Sequence, residues 1–116
     1  MSEIQIPISD FHAHIYFSPD SRASAEKFRQ LISKHLASQL RYVGNLIDRP
    51  VGPHPVPMFE LNFLPENFAQ VVTFLMQNHG SHSVLIHPQT GNDPIDHSTH
   101  ALWLGAQLKL DFSKLH

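Results

Sequence analysis

The chain has 116 residues, 41% of them hydrophobic with eight Phe, enough for one modest core, and it reads as a single domain spanning residues 1–116. Eight Lys and Arg stand against ten Asp and Glu with no basic run, so the counterion release that drives nucleic-acid or anionic-membrane binding has nothing to act on, and neither partner is expected. Ten histidines and no cysteine exclude disulfides, iron–sulfur clusters, thiolate zinc sites and Cys nucleophiles, and point to an imidazole-based metal or acid/base site.

The first ten residues carry neither a basic nor an apolar leader region, and no apolar run nears bilayer length, so a soluble cytoplasmic protein is expected. From Phe11 to Phe17 the pattern alternates, with Phe11, Ala13, Ile15 and Phe17 on one side and His12, His14 and Tyr16 on the other, the period of a half-buried strand. Ser18-Pro19-Asp20 offers a helix start. Ala25, Phe28, Leu31, Ile32, His35, Leu36 and Leu40 then recur at helical spacing, which predicts an amphipathic helix from about Ser21 to Leu40. Tyr42 to Ile47 reads as a second strand and Met58 to Leu64 as a third, with Glu60 and Asn62 on its polar side. Between them, residues 48–57 hold four prolines, a composition suited to a stiff extended excursion and not to a tight hairpin.

Pro65 opens a second helix with the stripe Phe68, Val71, Val72, Leu75 and Met76, which Gly80 is placed to close. Ser83 to His87 is a short fourth strand, Thr99 to Leu104 reads as a short strand or a turn of helix, and Leu108, Leu110 and Phe112 alternate as a final strand. The order β-α-β-β-α-β is that of an α+β ferredoxin-like sandwich with a short C-terminal extension strand. Two helices would cover one face of its sheet and leave the other open, and an open face carrying a site predicts a homodimer.

His12, His14, Tyr16, Glu60 and Asn62 all project from that second face. Two histidines at i and i+2 on one strand can bind one metal from the same side, with Glu60 or His87 completing the set. Two His and a carboxylate, or three His, leave coordination positions free, which suits a non-haem Fe(II) that must also take substrate and O₂; Zn and Mn remain open as the metal. Strand histidines also serve as polar surface or hydrogen-bonded core, and spacing alone does not separate these readings. His35, His79 and His116 read as structural or solvated, and His82 in its Gly-Ser-His-Ser turn stays unassigned. Five scattered glycines make neither a dinucleotide turn nor a P-loop, and no Gly-x-Ser-x-Gly elbow occurs.

Four ordered phrases carry a resemblance: Phe11-His12-Ala13-His14-Ile15-Tyr16-Phe17, Asp48-Arg49-Pro50-Val51-Gly52-Pro53-His54-Pro55, His87-Pro88-Gln89-Thr90-Gly91, and Asp96-His97-Ser98-Thr99-His100 with Ala101-Leu102-Trp103-Leu104-Gly105. Together, over roughly residues 10 to 112, they resemble the DOPA 4,5-dioxygenase family. The resemblance implies a dimeric ferredoxin-like protein with extradiol chemistry, in which non-haem Fe(II) and O₂ open the aromatic ring of a catechol such as DOPA. It implies metal ligation by His12, His14 and either His87 or Glu60, and acid/base work by His54 and His97. Arg49 or His100 would meet a substrate carboxylate, while Tyr16 and Trp103 would wall the ring. The competing expectations are a non-catalytic dimeric module that binds a small aromatic ligand or structural Zn, and a ferredoxin-like monooxygenase.

Overall fold

The alternation of Phe11 to Phe17 places its first six residues in the central strand of a sheet. In the computed structural model, which describes residues 6–115, β1 (Phe11–Tyr16), β2 (Tyr42–Val43), β3 (Met58–Phe63), β4 (Val84–Pro88) and β5 (Leu102–Leu104) form one antiparallel sheet in the order β2-β3-β1-β4-β5. Helices α1 (Arg22–His35) and α2 (Phe68–Asn78) follow β1 and β3, and a single turn, α3 (Asp93–Asp96), links β4 to β5. The first four strands and the two long helices have the β-α-β-β-α-β order of a ferredoxin-like sandwich, with β5 added beside β4. Each long helix is entered through one 3₁₀ turn that begins with proline, Pro19–Ser21 and Pro65–Asn67. Proline suits that position because its φ is already helical and its missing N–H would have had no intrahelical partner.

Ala13, Ile15, Phe59, Leu61, Phe63, Val84 and Ile86 alternate onto one sheet face and pack against Ala25, Phe28 and Ile32 of α1 and Val71, Val72 and Leu75 of α2. None of these is more than 5% exposed, and burying each large side chain contributes about 1.5–3 kcal/mol. The helical stripes are narrower than their spacing predicts, since Leu31 and Met76 are 38% and 54% exposed. Helix α1 also ends at His35, not Leu40. The turn after it keeps Leu40 on the core and lets the Arg41 N–H donate to the Asn62 carbonyl at 2.8 Å, so pairing with β3 replaces a further helical turn. Strand β2 is correspondingly shorter than Tyr42 to Ile47. Its outer carbonyls are taken by the Arg29 guanidinium, which donates to Gly44 O at 2.7 Å and Val43 O at 3.4 Å and so blunts the sheet edge.

The second face is not open. Tyr16, Met58, Leu85 and Leu110 form a smaller buried cluster there, joined by Ile47, Val51 and Val56 around the proline-rich loop and by Ala101, Trp103 and Leu108 from the C-terminal segment. The Asp111 N–H donates to Pro53 O at 2.9 Å and ties the two covering segments together. The extension strand predicted over Leu108 to Phe112 is therefore a covering segment, and the strand that joins the sheet is Leu102–Leu104. Gly105, at φ +73°, turns the chain immediately after β5. Alternation at Leu108 and Leu110 reports one buried and one wet side, and the sheet supplies no backbone ladder there. Closure within one chain also removes the physical ground on which an open face predicts a dimer.

Candidate metal centre

Register brings the polar side chains of three strands onto the covered face. His12 lies opposite Asn62 on β3 and His87 on β4, and His14 lies opposite Glu60 and Leu85. Two further imidazoles come from the segments above the sheet. His54 is set by a four-residue turn in which its N–H donates to Val51 O at 3.0 Å, and Gly52 takes φ +53° to make that turn. His97 closes α3, where its Nδ1–H donates to Asp93 O at 2.8 Å.

The five rings form one cluster. Centroids of His14 and His54, and of His87 and His97, are each 4.0 Å apart; His14 and His87 are separated by 5.2 Å, and His12 and His87 by 5.3 Å. His14, His54, His87 and His97 are all less than 9% exposed, while His12 sits at the rim. Two triads, His12, His14 and His87, and His14, His54 and His97, each bring three ligand atoms within 4.8 Å of one another. They share His14.

Hydrogen bonds sort the tautomers. A carbonyl only accepts, so His87 carries its proton on Nδ1, toward Pro88 O at 3.0 Å, and offers a lone pair at Nε2. That lone pair is 3.1 Å from His14 Nε2, which must then be the donor. His14 Nδ1 is consequently left buried with no hydrogen-bond partner, and the nearest carboxylate oxygen, Glu60 Oε1, is 3.9 Å away. His97, like His87, presents a free Nε2. The Tyr16 hydroxyl lies 2.7 Å from His54 Nδ1; donation from the phenol satisfies both groups and leaves His54 with Nε2–H.

Burial holds His14, His54 and His87 in their neutral, metal-competent form. Desolvation, followed by the positive charge that His97 would bring, lowers His54 to about 4. His87 is lowered to about 3 by the same two causes, against the opposing hydrogen bond to Pro88 O. His14 lies well below the usual imidazole range, through burial first and then the neighbouring imidazoles. Burial likewise raises Tyr16 and keeps it a phenol. A divalent ion fits this set. It would take up His14 Nε2, send that proton to Nδ1 and so give the orphaned atom a role facing Glu60, the carboxylate–histidine arrangement that orients metal-bound imidazoles.

The remaining candidates are placed unevenly. Glu60 faces the Nδ1 edges of both His12, at 3.7 Å, and His14, so it stands behind these rings and away from the meeting point of His14 and His87. His12 turns its other nitrogen to Asp10 at 3.5 Å. Tyr16 and Trp103 stack at 5.9 Å and 19°, and Trp103 shares with His97 the wall of a cleft of about 590 Å³. His100 donates from Nδ1 to Asp96 at 3.1 Å. Arg49 is exposed and makes no hydrogen bond or ion pair among the described residues, so nothing draws it to the imidazoles. Of the other histidines, His82 is a buried strut between Ser24 Oγ at 2.8 Å and Tyr16 O at 3.0 Å, His79 bonds His82 O, and His35 packs on Phe74. His116 lies outside the described residues.

Asp96 has a part that sequence reasoning did not assign. Fully buried, it accepts from Thr90 N–H at 2.8 Å, Thr90 Oγ at 2.7 Å and His100. Burial alone would raise its carboxyl, but the Thr90 and His100 hydrogen bonds outweigh that and hold it below the usual range. It thereby fixes the loop that carries His97. The available signal was its position, next to His97 and four residues before His100.

The family model described as "Dopa 4,5-dioxygenase family" matches residues 11–114. An uncharacterized 21.2 kDa protein of Botryotinia fuckeliana is 36% identical over 89% of this chain and 61% of its own length. A DOPA 4,5-dioxygenase of Amanita muscaria is 31% identical over 93% of this chain and 50% of its own. This chain thus spans half to about three fifths of these curated relatives. A 1.46 Å crystal structure from Nostoc punctiforme PCC 73102, named a "putative dioxygenase", superposes with a TM-score of 0.84 at 40% identity, over 93% of this chain and 91% of that one. With a family model matched across nearly its whole length, the chain belongs to the Dopa 4,5-dioxygenase family.

Proposed function

We propose that the protein is an extradiol-type dioxygenase that opens the aromatic ring of a catechol with non-haem Fe(II) and O₂. The observation that carries this reading is the imidazole cluster, neutral through burial at His14, His54 and His87 and with an orphaned His14 Nδ1, beside a cleft walled by an aromatic residue. His12, His14 and His87 would hold the ion, Glu60 would orient His12 and His14 from behind, and Zn or Mn are the other metals this donor set takes. When bound, Fe(II) supplies an open coordination sphere where catechol oxygens and O₂ meet.

The chain's own residues do the proton work. His97, whose Nδ1–H donates to Asp93 O and so turns Nε2 away from that bond, is the base for a catechol hydroxyl through Nε2. The imidazolium so formed on His97 is the acid that returns the proton as the ring opens, while His54 Nε2–H, set by the Tyr16 hydroxyl, donates a hydrogen bond to the developing oxyanion. Trp103 lines the approach and excludes water from one side. The substrate partners are a small aromatic diol and O₂, and the reading carries a homodimer with it on family grounds alone.

Anaerobic Fe(II) reconstitution followed by oxygen uptake across a panel of catechols tests the proposal. Uptake with a yellow semialdehyde product is expected; no uptake with any catechol, or exclusive tight binding of Zn, overturns it. In His14→Ala the metal content should fall at least tenfold with the far-UV spectrum retained, and unchanged metal content removes His14 from the ligand set.

A further inference from the structure

We propose that the cleft beside the imidazoles selects catechols bearing one negative charge on the side chain, as in arylalkanoic or cinnamic acids, over catechol amino acids and amines, and that Lys109 is the selecting residue. The proposal deepens the ring-opening reading and rests on it for the catechol ring. His97 belongs both to the imidazole cluster and to the wall of the 590 Å³ cleft, so a ring placed at the cluster has this cleft as the space for its substituent. Trp103, Leu108, Leu110 and Phe112 give the cleft its apolar lining, and Lys109 is the sole Lys or Arg among the lining residues.

No Asp or Glu lines the cleft among the described residues. Lys109 is exposed and makes no ion pair there. The adjacent carboxylate, Asp111, is turned to the Ser113 N–H at 3.1 Å and the Ser113 hydroxyl at 2.5 Å. A substrate carboxylate therefore finds an uncommitted ammonium, whereas a substrate ammonium finds repulsion and no acceptor charge. An amino-acid side chain collects both effects, and they largely cancel. Because the cation is exposed, the preference is modest, about threefold to fivefold in affinity at low salt.

Trp103 is the only tryptophan in the chain, so its fluorescence reports the cleft without requiring turnover. Under anaerobic conditions the protein would be titrated with 3,4-dihydroxyphenylacetate, 4-methylcatechol, DOPA and dopamine. The acid should bind about threefold to fivefold tighter than 4-methylcatechol, DOPA should match 4-methylcatechol, and dopamine should be weakest. Lys109→Met should level the series and Lys109→Arg should preserve it. Equal affinities in the unaltered protein, no quenching by any of the four, or a series unchanged in Lys109→Met overturns the proposal. Retention of this order in a protein that cleaves no catechol would overturn the ring-opening reading and leave the charge selection standing.

Discussion

Buried imidazoles make the site sensitive to acid before any metal is considered. His54 is held at about 4 and His87 at about 3, burial being the first cause for both, whereas an unfolded imidazole titrates near 6.5. Below pH 6.5 the unfolded chain thus binds protons that the fold refuses. The stability associated with neutral His54 and His87 is fully present above about 6.5 and is lost as the pH falls toward 4. In the metal-free protein the two rings together contribute up to about 5 kcal/mol between pH 7 and 4.5, read from urea midpoints; a flat profile over that range would mean that the two rings are solvated. Asp96 gives a second prediction at this scale. It accepts from three donors, and the amide nitrogen of Asp96→Asn would confront the Thr90 N–H or hydroxyl now bonded to a carboxylate oxygen. The substitution should cost about 1–3 kcal/mol by denaturant unfolding and lower catechol turnover more than metal content, since the loop it anchors presents His97.

Among the elements, the proline-rich loop contributes rigidity as well as His54. Asp48 is clamped to α1 by Arg22, with Nε to Oδ1 at 2.7 Å and Nη2 to Oδ2 at 3.2 Å, and Pro53 O holds the C-terminal segment through Asp111 N–H. The first of these is an exposed pair that fixes geometry more than it stabilises. Within the loop, Gly52 lies at φ +53° with nothing within 4 Å of an added Cβ. Gly52→Ala meets no clash, so its cost is backbone strain alone, about 1–2 kcal/mol. A melting point lowered by several degrees, with Gly52→Asn less affected, is the expected result. An unaltered melting point in Gly52→Ala would mean that the turn is not held in this form.

For the whole molecule, stability resides on the helix side of the sheet and chemistry on the loop side. Phe59, fully buried between β1 and the helices, shows the first part: Phe59→Ala should cost about 3–5 kcal/mol, a large share of the stability of a domain this size, and leave little folded protein at 37 °C by circular dichroism. Across the sheet, a metal, a catechol or both would bind the folded chain alone and raise the melting point by mass action. No helix among the described residues is long and apolar enough to cross a membrane.

The sequence by itself determined which side of β1 and of β3 is apolar, because a period of two admits no other reading of Phe11 to Phe17 or Met58 to Phe63, and with that it put His12, His14, Tyr16 and Glu60 on one face. Proline and glycine likewise marked both helix starts and the loop of His54. Pairing and covering were decided only by the tertiary structure. Alternation at Leu108 and Leu110 signals burial without naming a hydrogen-bonding neighbour, so Leu102–Leu104 took the place of the expected final strand, and the face that looked open was closed by segments remote in sequence. The donors to Asp96 were equally hidden, as was the lack of an ion-pair partner for Arg49 and Lys109 among the described residues. A charge acquires its role from what folding brings within about 4 Å of it, and no local pattern records that distance.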